Sequence, residues 1–278
     1  MNKYKLNFNK IEVFLSSCKI AKKPLLSLQI FCLIFLCSNS NAQPLKISSS
    51  ENPVKLINVA GIGGGLANIQ NLGKSQYFPI QNIQTDEFYV YSALKNTANK
   101  FLFDIFIGKE KSIFQNWLVQ GTLTYQQIQP FKPQGYFIQG ADNESADAYK
   151  YNYKVVSRQF LVQTKWFYNY QKIFKPYVLG GLGAAFNRAY NYQTKAPRFL
   201  TFTRAYANNT QTSFAYQLGL GFDVPMNNHL RLGLSYRFLG LGRISLGAVN
   251  IDNIPVAGTL SSANAYVNQA LLELTTSF

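Results

Sequence analysis

Sulfur and imidazole chemistry are almost absent from this chain. Its three cysteines, Cys18, Cys32 and Cys37, crowd the N-terminal stretch, and His229 is its one histidine. Beyond Cys37 there is no thiol for a disulfide, a thiolate metal site or a nucleophile. A single histidine in a predicted turn cannot activate a serine at the opposite end of the molecule. No group of side chains has metal-ligand spacing. The glycines at 61–65 and 180–183 lack the Lys-Ser/Thr of a phosphate loop. No enzyme, cofactor or metal is expected, and no catalytic residue is assigned.

Charge is the second scarcity. Only 14% of residues are charged, against about 25% in an ordinary globular chain. What charge there is leans one way, with 27 Lys and Arg against 12 Asp and Glu. Long apolar runs are the third: after residue 40 none is long enough for a helix to cross a bilayer. Against these absences stand 18 Tyr and 22 Phe. Few charges, many aromatics and no helical span point to a lipid-facing surface made of strands. The basic balance suits anionic lipid and glycan phosphates, and nucleic acid is not an expected partner.

The N-terminus reads as an export signal. Lys19, Lys22 and Lys23 precede the apolar run Leu25 to Cys37, which is too short to span a membrane comfortably, and small residues Ser38 to Ala42 follow. Residues 1–42 are the expected signal peptide, cut after Ala42, and 43–53 a periplasmic linker. A lipoprotein reading through Cys37 is poorly served by the bulky Leu36 before it.

From Val54 to Phe278 apolar and polar residues alternate with the two-residue period of strands. Eight strands are predicted, at 54–67, 100–108, 114–126, 151–168, 174–190, 213–224, 229–240 and 265–278. On 213–224, for example, Phe214, Tyr216, Leu218, Leu220, Phe222 and Val224 oppose Ala215, Gln217, Gly219, Gly221 and Asp223. The parity of Tyr151, Tyr153 and Val155 is out of step with the rest of its strand, which predicts a bulge there or an extension beyond the membrane. Long and short connections alternate, the short ones being Lys109 to Ile113, Asn169 to Ile173 and Pro225 to Asn228. That is the pattern of an up-and-down transmembrane barrel with long extracellular loops and short periplasmic turns. The all-β class follows physically, because in hydrocarbon a sheet must close on itself to satisfy its backbone.

This architecture assigns roles to particular residues. Asp104, Lys165, Asp223, Arg231, Arg237 and Glu273 fall on the inward faces and form a polar network in the lumen. If Val224 pairs with Leu230, then Asp223 faces Arg231, and counting back from Phe278 places Glu273 within a residue pair or two of Arg237. The network serves as an ion-paired plug or as an ion path. Trp117 and Trp166 mark the periplasmic aromatic girdle, and Tyr125, Tyr149, Tyr151, Tyr190 and Tyr192 the outer one. Lys195, Arg198 and Arg204, in a long loop without an acid, are candidate contacts to lipopolysaccharide. The fourth long loop, Leu241 to Asn264, is unusually apolar and would either bind a partner or extend the fold above the membrane.

Some of these stretches carry a resemblance. Lys175-Pro176-Tyr177-Val178-Leu179-Gly180-Gly181-Leu182-Gly183-Ala184-Ala185-Phe186, Leu218 to Asp223 and Leu230 to Arg237 resemble strands of opacity-type and OmpA-like eight-stranded outer-membrane β-barrels. Phe278 is similar to the C-terminal aromatic that the barrel-assembly machinery reads in that family. The resemblance implies residence in the bacterial outer membrane, with its lipid and lipopolysaccharide as neighbours. It implies a non-enzymatic role as a structural, adhesive or opacity-like surface protein with a surface ligand. The alternative is a small channel or transporter for ionic or apolar solutes.

Overall fold

The computed structural model describes residues 56–79, 88–94, 96–140, 148–170, 173–195, 206–248, 250–251, 254–255 and 258–278. The expected signal peptide and linker lie outside them, as do Arg198 and Arg204.

Eight long antiparallel strands close into a ring: β1 (Leu56–Gln70), β4 (Ala98–Phe114), β5 (Trp117–Phe131), β7 (Ala148–Tyr168), β8 (Lys175–Lys195), β9 (Asn209–Pro225), β10 (Leu230–Gly242) and β13 (Ala265–Ser277). β13 pairs with β1 from Val59↔Ser277 to Gln70↔Tyr266, so neither has a free edge within that ladder. The last residue joins the seam too, since Phe278 N donates to Asn58 O at 2.9 Å and Asn58 N to Phe278 O at 3.1 Å. Five strands were not foreseen, three of them being β2 (Gln76–Pro79), β3 (Phe88–Ala93) and β6 (Gln134–Gly140). These three continue the sheet sideways from the upper part of β7 in the order β2-β3-β6-β7. A small hairpin, β11 (Asn250–Ile251) with β12 (Ile254–Pro255), sits in the fourth loop.

The first short turn is not where composition put it. Lys109 to Ile113 looks like a turn because it is charged and small, yet β4 runs through it to Phe114 and pairs Glu110 with Gln120. The reversal takes place at Gln115 and Asn116. The β9–β10 register also differs by two residues from the one assumed. Val224 pairs with Leu232, so Asp223 stands opposite Gly233 and not Arg231.

The outward faces explain where the molecule lives. Ile62, Phe101, Ile105, Leu123, Val162, Leu182, Leu218, Leu234 and Leu272 are all exposed, and between them they come from every strand of the ring. A soluble monomer rarely exposes a contiguous apolar patch of more than a few hundred Å². A belt around a closed barrel is stable only against lipid. On β7 the outward residues from Trp166 up to Arg158 are Trp166, Thr164, Val162 and Phe160. Eight residues at about 3.3 Å each cover about 26 Å of strand, and the usual tilt brings this to about 20 Å of height. Arg158 therefore stands at the upper edge of the hydrocarbon.

Candidate functional site

The interior has two storeys, and the sequence alternation conceals the difference because both face inward. The lower storey is charged. Lys165 Nζ reaches both oxygens of Glu273, at 3.0 and 3.1 Å, and Tyr177 OH donates to Glu273 Oε2 at 2.8 Å. Arg237 bridges Glu273 and Asp104, with Nη1 to Asp104 Oδ2 at 2.9 Å. Lower down, Arg231 pairs with Glu110 at 2.7 Å, lies 3.7 Å from Asp223 and donates to Gln120 Oε1 at 3.2 Å. All six expected lumen residues fall in these two clusters, each of them buried. Such an arrangement answers the cost of taking charge out of water, since each ion keeps a partner.

Small residues make room for this. Gly63 lies opposite both Asp104 and Glu273, and a Cβ there would collide with the Asp104 carboxylate. Gly233 holds the equivalent place beside Asp223. The aromatic rings help as well. Lys165 Nζ sits 4.8 Å from the Tyr177 ring centre and 5.1 Å from that of Phe106, and the Arg231 guanidinium 5.3 Å from that of Phe167. Each is cation–π geometry.

Above the ions lies a layer of neutral amides. Gln217 donates to Gln269 Oε1 at 3.1 Å and to Gln126 Oε1 at 3.4 Å, and accepts from Gln163. Thr124 donates to Gln163 Oε1 at 3.0 Å. Glu110, Tyr177 and these glutamines are site residues that the sequence reading missed. Glu110 was hidden in the supposed turn. The glutamines carried a usable signal, since each occupies an inward position of a strand whose outward face is apolar.

The upper storey is an apolar core. Tyr91 is at its centre, stacked on Phe137 at 5.6 Å between ring centres and edge-on to Phe78, Tyr151 and Tyr206 at 5.7, 5.3 and 5.9 Å. Ile244, Leu246 and Leu260 of the fourth loop are buried in the same cluster. That loop is therefore packed inward by its apolar side chains and is not a greasy surface. The supposed change of parity on β7 also dissolves: odd-numbered residues face inward without interruption from Tyr151 to Phe167. What changes is the interior they face. The irregularity lies on β8, where Asn191 adopts φ 54° and the pairing with β7 shifts between Asn152 and Lys154.

The aromatic girdles divide accordingly. Trp117 and Trp166 are exposed at the short-turn end, and Trp117 meets Tyr168 edge-on at 5.2 Å. Tyr125 faces outward against Phe103 and Phe160. Tyr151 does not: it is buried in the cap, while Tyr149 and Tyr192 are half-buried against the same core. The extra residue at Asn191 turns Tyr192 inward, onto Tyr151 and Tyr206. Lys195 is exposed at the end of β8, directly across from Lys150. His229 is exposed in the last short turn, with Nδ1 3.2 Å from Ser277 O.

A closed ring of eight antiparallel strands, apolar outside and with ion pairs inside, defines a transmembrane β-barrel. Among solved structures the chain is similar to the outer membrane protein OprG from Pseudomonas aeruginosa (14% identity over 80% of this chain and 96% of that one, TM-score 0.44). It is similar to Neisserial surface protein A (12% identity, 81% and 99%, TM-score 0.38) and to the outer membrane protease OmpT from Escherichia coli (9% identity, 81% and 96%, TM-score 0.44). No family model matches the chain, and no curated protein matches it in sequence.

Proposed function

We propose that this protein is a non-enzymatic barrel of the bacterial outer membrane, structural or adhesive, whose loops face the outside and whose lumen does not conduct. One observation carries the reading: both storeys of the interior are filled, the lower by paired charges and the upper by the cap around Tyr91. Large buried side chains including Arg237, Lys165, Leu161 and Phe167 lie across the bore. Planar-bilayer recording of the purified barrel tests it. No steady conductance is expected. A stable open level would overturn the plug and favour a small channel or transporter for ionic or apolar solutes.

Export by residues 1–42 and assembly by the barrel-assembly machinery belong to the same proposal. Phe278 is the proposed assembly signal, and its backbone hydrogen bonds to Asn58 make it part of the closing seam. Deleting Phe278 is expected to reduce membrane insertion while leaving export intact. Fractionation would show protein accumulating in the periplasm, and wild-type insertion would remove Phe278 from this role. Outer-leaflet lipopolysaccharide is the proposed neighbour of the third long loop through Lys195, Arg198 and Arg204. A surface ligand is the proposed partner of the loops.

A further inference from the structure

β7 and β8 are 21 residues long each and share a ladder from Lys150↔Lys195 down to Phe167↔Tyr177. Their outward face changes character abruptly. Phe160 and Phe186, in edge-on contact at 5.9 Å, are the last apolar pair. Above them on the same face come Arg158 and Arg188, then Lys154 opposite Tyr190, then Lys150 opposite Lys195. Arg158, Arg188, Lys150 and Lys195 are exposed, and Lys154 is half-exposed. Among the described residues none of the five lies in an ion pair with a carboxylate. Arg188 is held by the Tyr190 ring, 5.4 Å away, and Lys150 by that of Tyr136, 5.8 Å away.

Folding alone gives no reason for this stripe. Like charges directly across a sheet, as at Lys150 and Lys195, destabilise the pairing. The stripe begins where the hydrocarbon ends and rises along the outer wall, turned toward neighbouring lipid and away from the mouth. From Arg158 to Lys150 it follows about 26 Å of strand, longer than a simple phospholipid headgroup needs.

We propose that this stripe is a binding site for a phosphorylated glycolipid of the outer leaflet. The phosphates on its acylated sugars would meet Arg158, Arg188 and Lys154, its acyl chains Phe160, Phe186 and Leu182, and any phosphates on its outer sugars Lys150 and Lys195. The site rests on the outer-membrane reading above. It deepens that reading by adding lipid recognition along the wall of the barrel to the loop contacts proposed above.

The full chain, refolded in detergent, is titrated with bisphosphorylated lipid A, with the same glycolipid enzymatically dephosphorylated, and with a soluble sulfated polysaccharide. Heat-modifiable gel migration confirms first that each variant is a folded barrel. Replacing Arg158, Arg188 and Lys154 together by Gln is expected to weaken lipid A binding about 100-fold, at about fivefold for each surface cation. Arg158→Gln with Arg188→Gln should account for most of the loss with lipid A. Lys150→Gln with Lys195→Gln should leave lipid A binding unchanged and weaken only a longer glycolipid that carries further phosphates on its outer sugars. Lys111→Gln, at the opposite end of the barrel, should change nothing. Three results would overturn the site: equal binding of the dephosphorylated lipid, a triple variant within about twofold of the parent, or preference for the soluble polyanion. A folded, non-conducting barrel giving any of these would disprove the site while leaving the proposed function standing.

Discussion

Glu273→Ala is expected to lower the stability of the barrel by about 3–5 kcal/mol, the usual cost of removing one partner from a buried ion pair. Glu273 is the hub of the lower storey, and its two oxygens serve Lys165, Arg237 and Tyr177. Without it Arg237 keeps Asp104, but Lys165 has no other carboxylate in salt-bridge range among the described residues. Glu273→Gln should cost less, because it can still accept from Tyr177. Lys165→Met combined with Glu273→Leu should recover part of the loss, since the charge orphaned on Lys165 is then gone. The measurement is the temperature at which an unboiled sample loses its compact, fast-migrating form. A midpoint unchanged in Glu273→Ala would mean that the ions are solvated and do not act as a plug.

Tyr91→Ala is expected to cost about as much, about 3–5 kcal/mol by analogy with other large-to-small aromatic changes in cores, but to act elsewhere. Tyr91 touches four aromatic rings contributed by β2, β6, β7 and the segment before β9. Its loss leaves a hole in the cap, whereas the ring of eight strands below does not depend on it. Limited proteolysis should cut the long loops much faster, while heat-modifiable migration persists. If the barrel and the cap were lost together, the two storeys would be one cooperative unit.

These two residues also show what could be read without coordinates. Glu273 was legible, because an acid on the inward face of an otherwise apolar and polar alternation has to lie in the lumen. Arg237 was legible as its partner by counting back from Phe278, whereas Lys165 and Tyr177 were not legible as partners. Arginine and lysine side chains reach several residues along a strand, so register alone does not fix who meets whom. Tyr91 was invisible. It lies on β3, a strand that pairs with β6 and not with a transmembrane neighbour. Period-two alternation signals a strand whose two faces differ, and one that emerges above the lipid has no greasy outer face to contrast with its inner one. The same reason misplaced Tyr149, Tyr151 and Tyr192. Near the membrane surface a tyrosine suits both a lipid interface and a core, and only the interior behind it decides.

The seam between β1 and β13 has a consequence for the order in which the molecule forms. β7 and β8 meet across a short turn and can zip locally, as can β4 with β5 and β9 with β10. The pair Val59↔Ser277 joins residues roughly two hundred apart, the most costly closure in the ring by chain entropy. Closing it is therefore the late event, and the strand that waits is the one with Gly61, Gly63, Gly64 and Gly65 facing its partner. A partner strand arriving there has few side chains to rearrange: a Cβ at Gly65 would strike the backbone of Ala270. The glycines of β1 are thus a landing strip, keeping one lip of an unfinished barrel smooth until the other arrives.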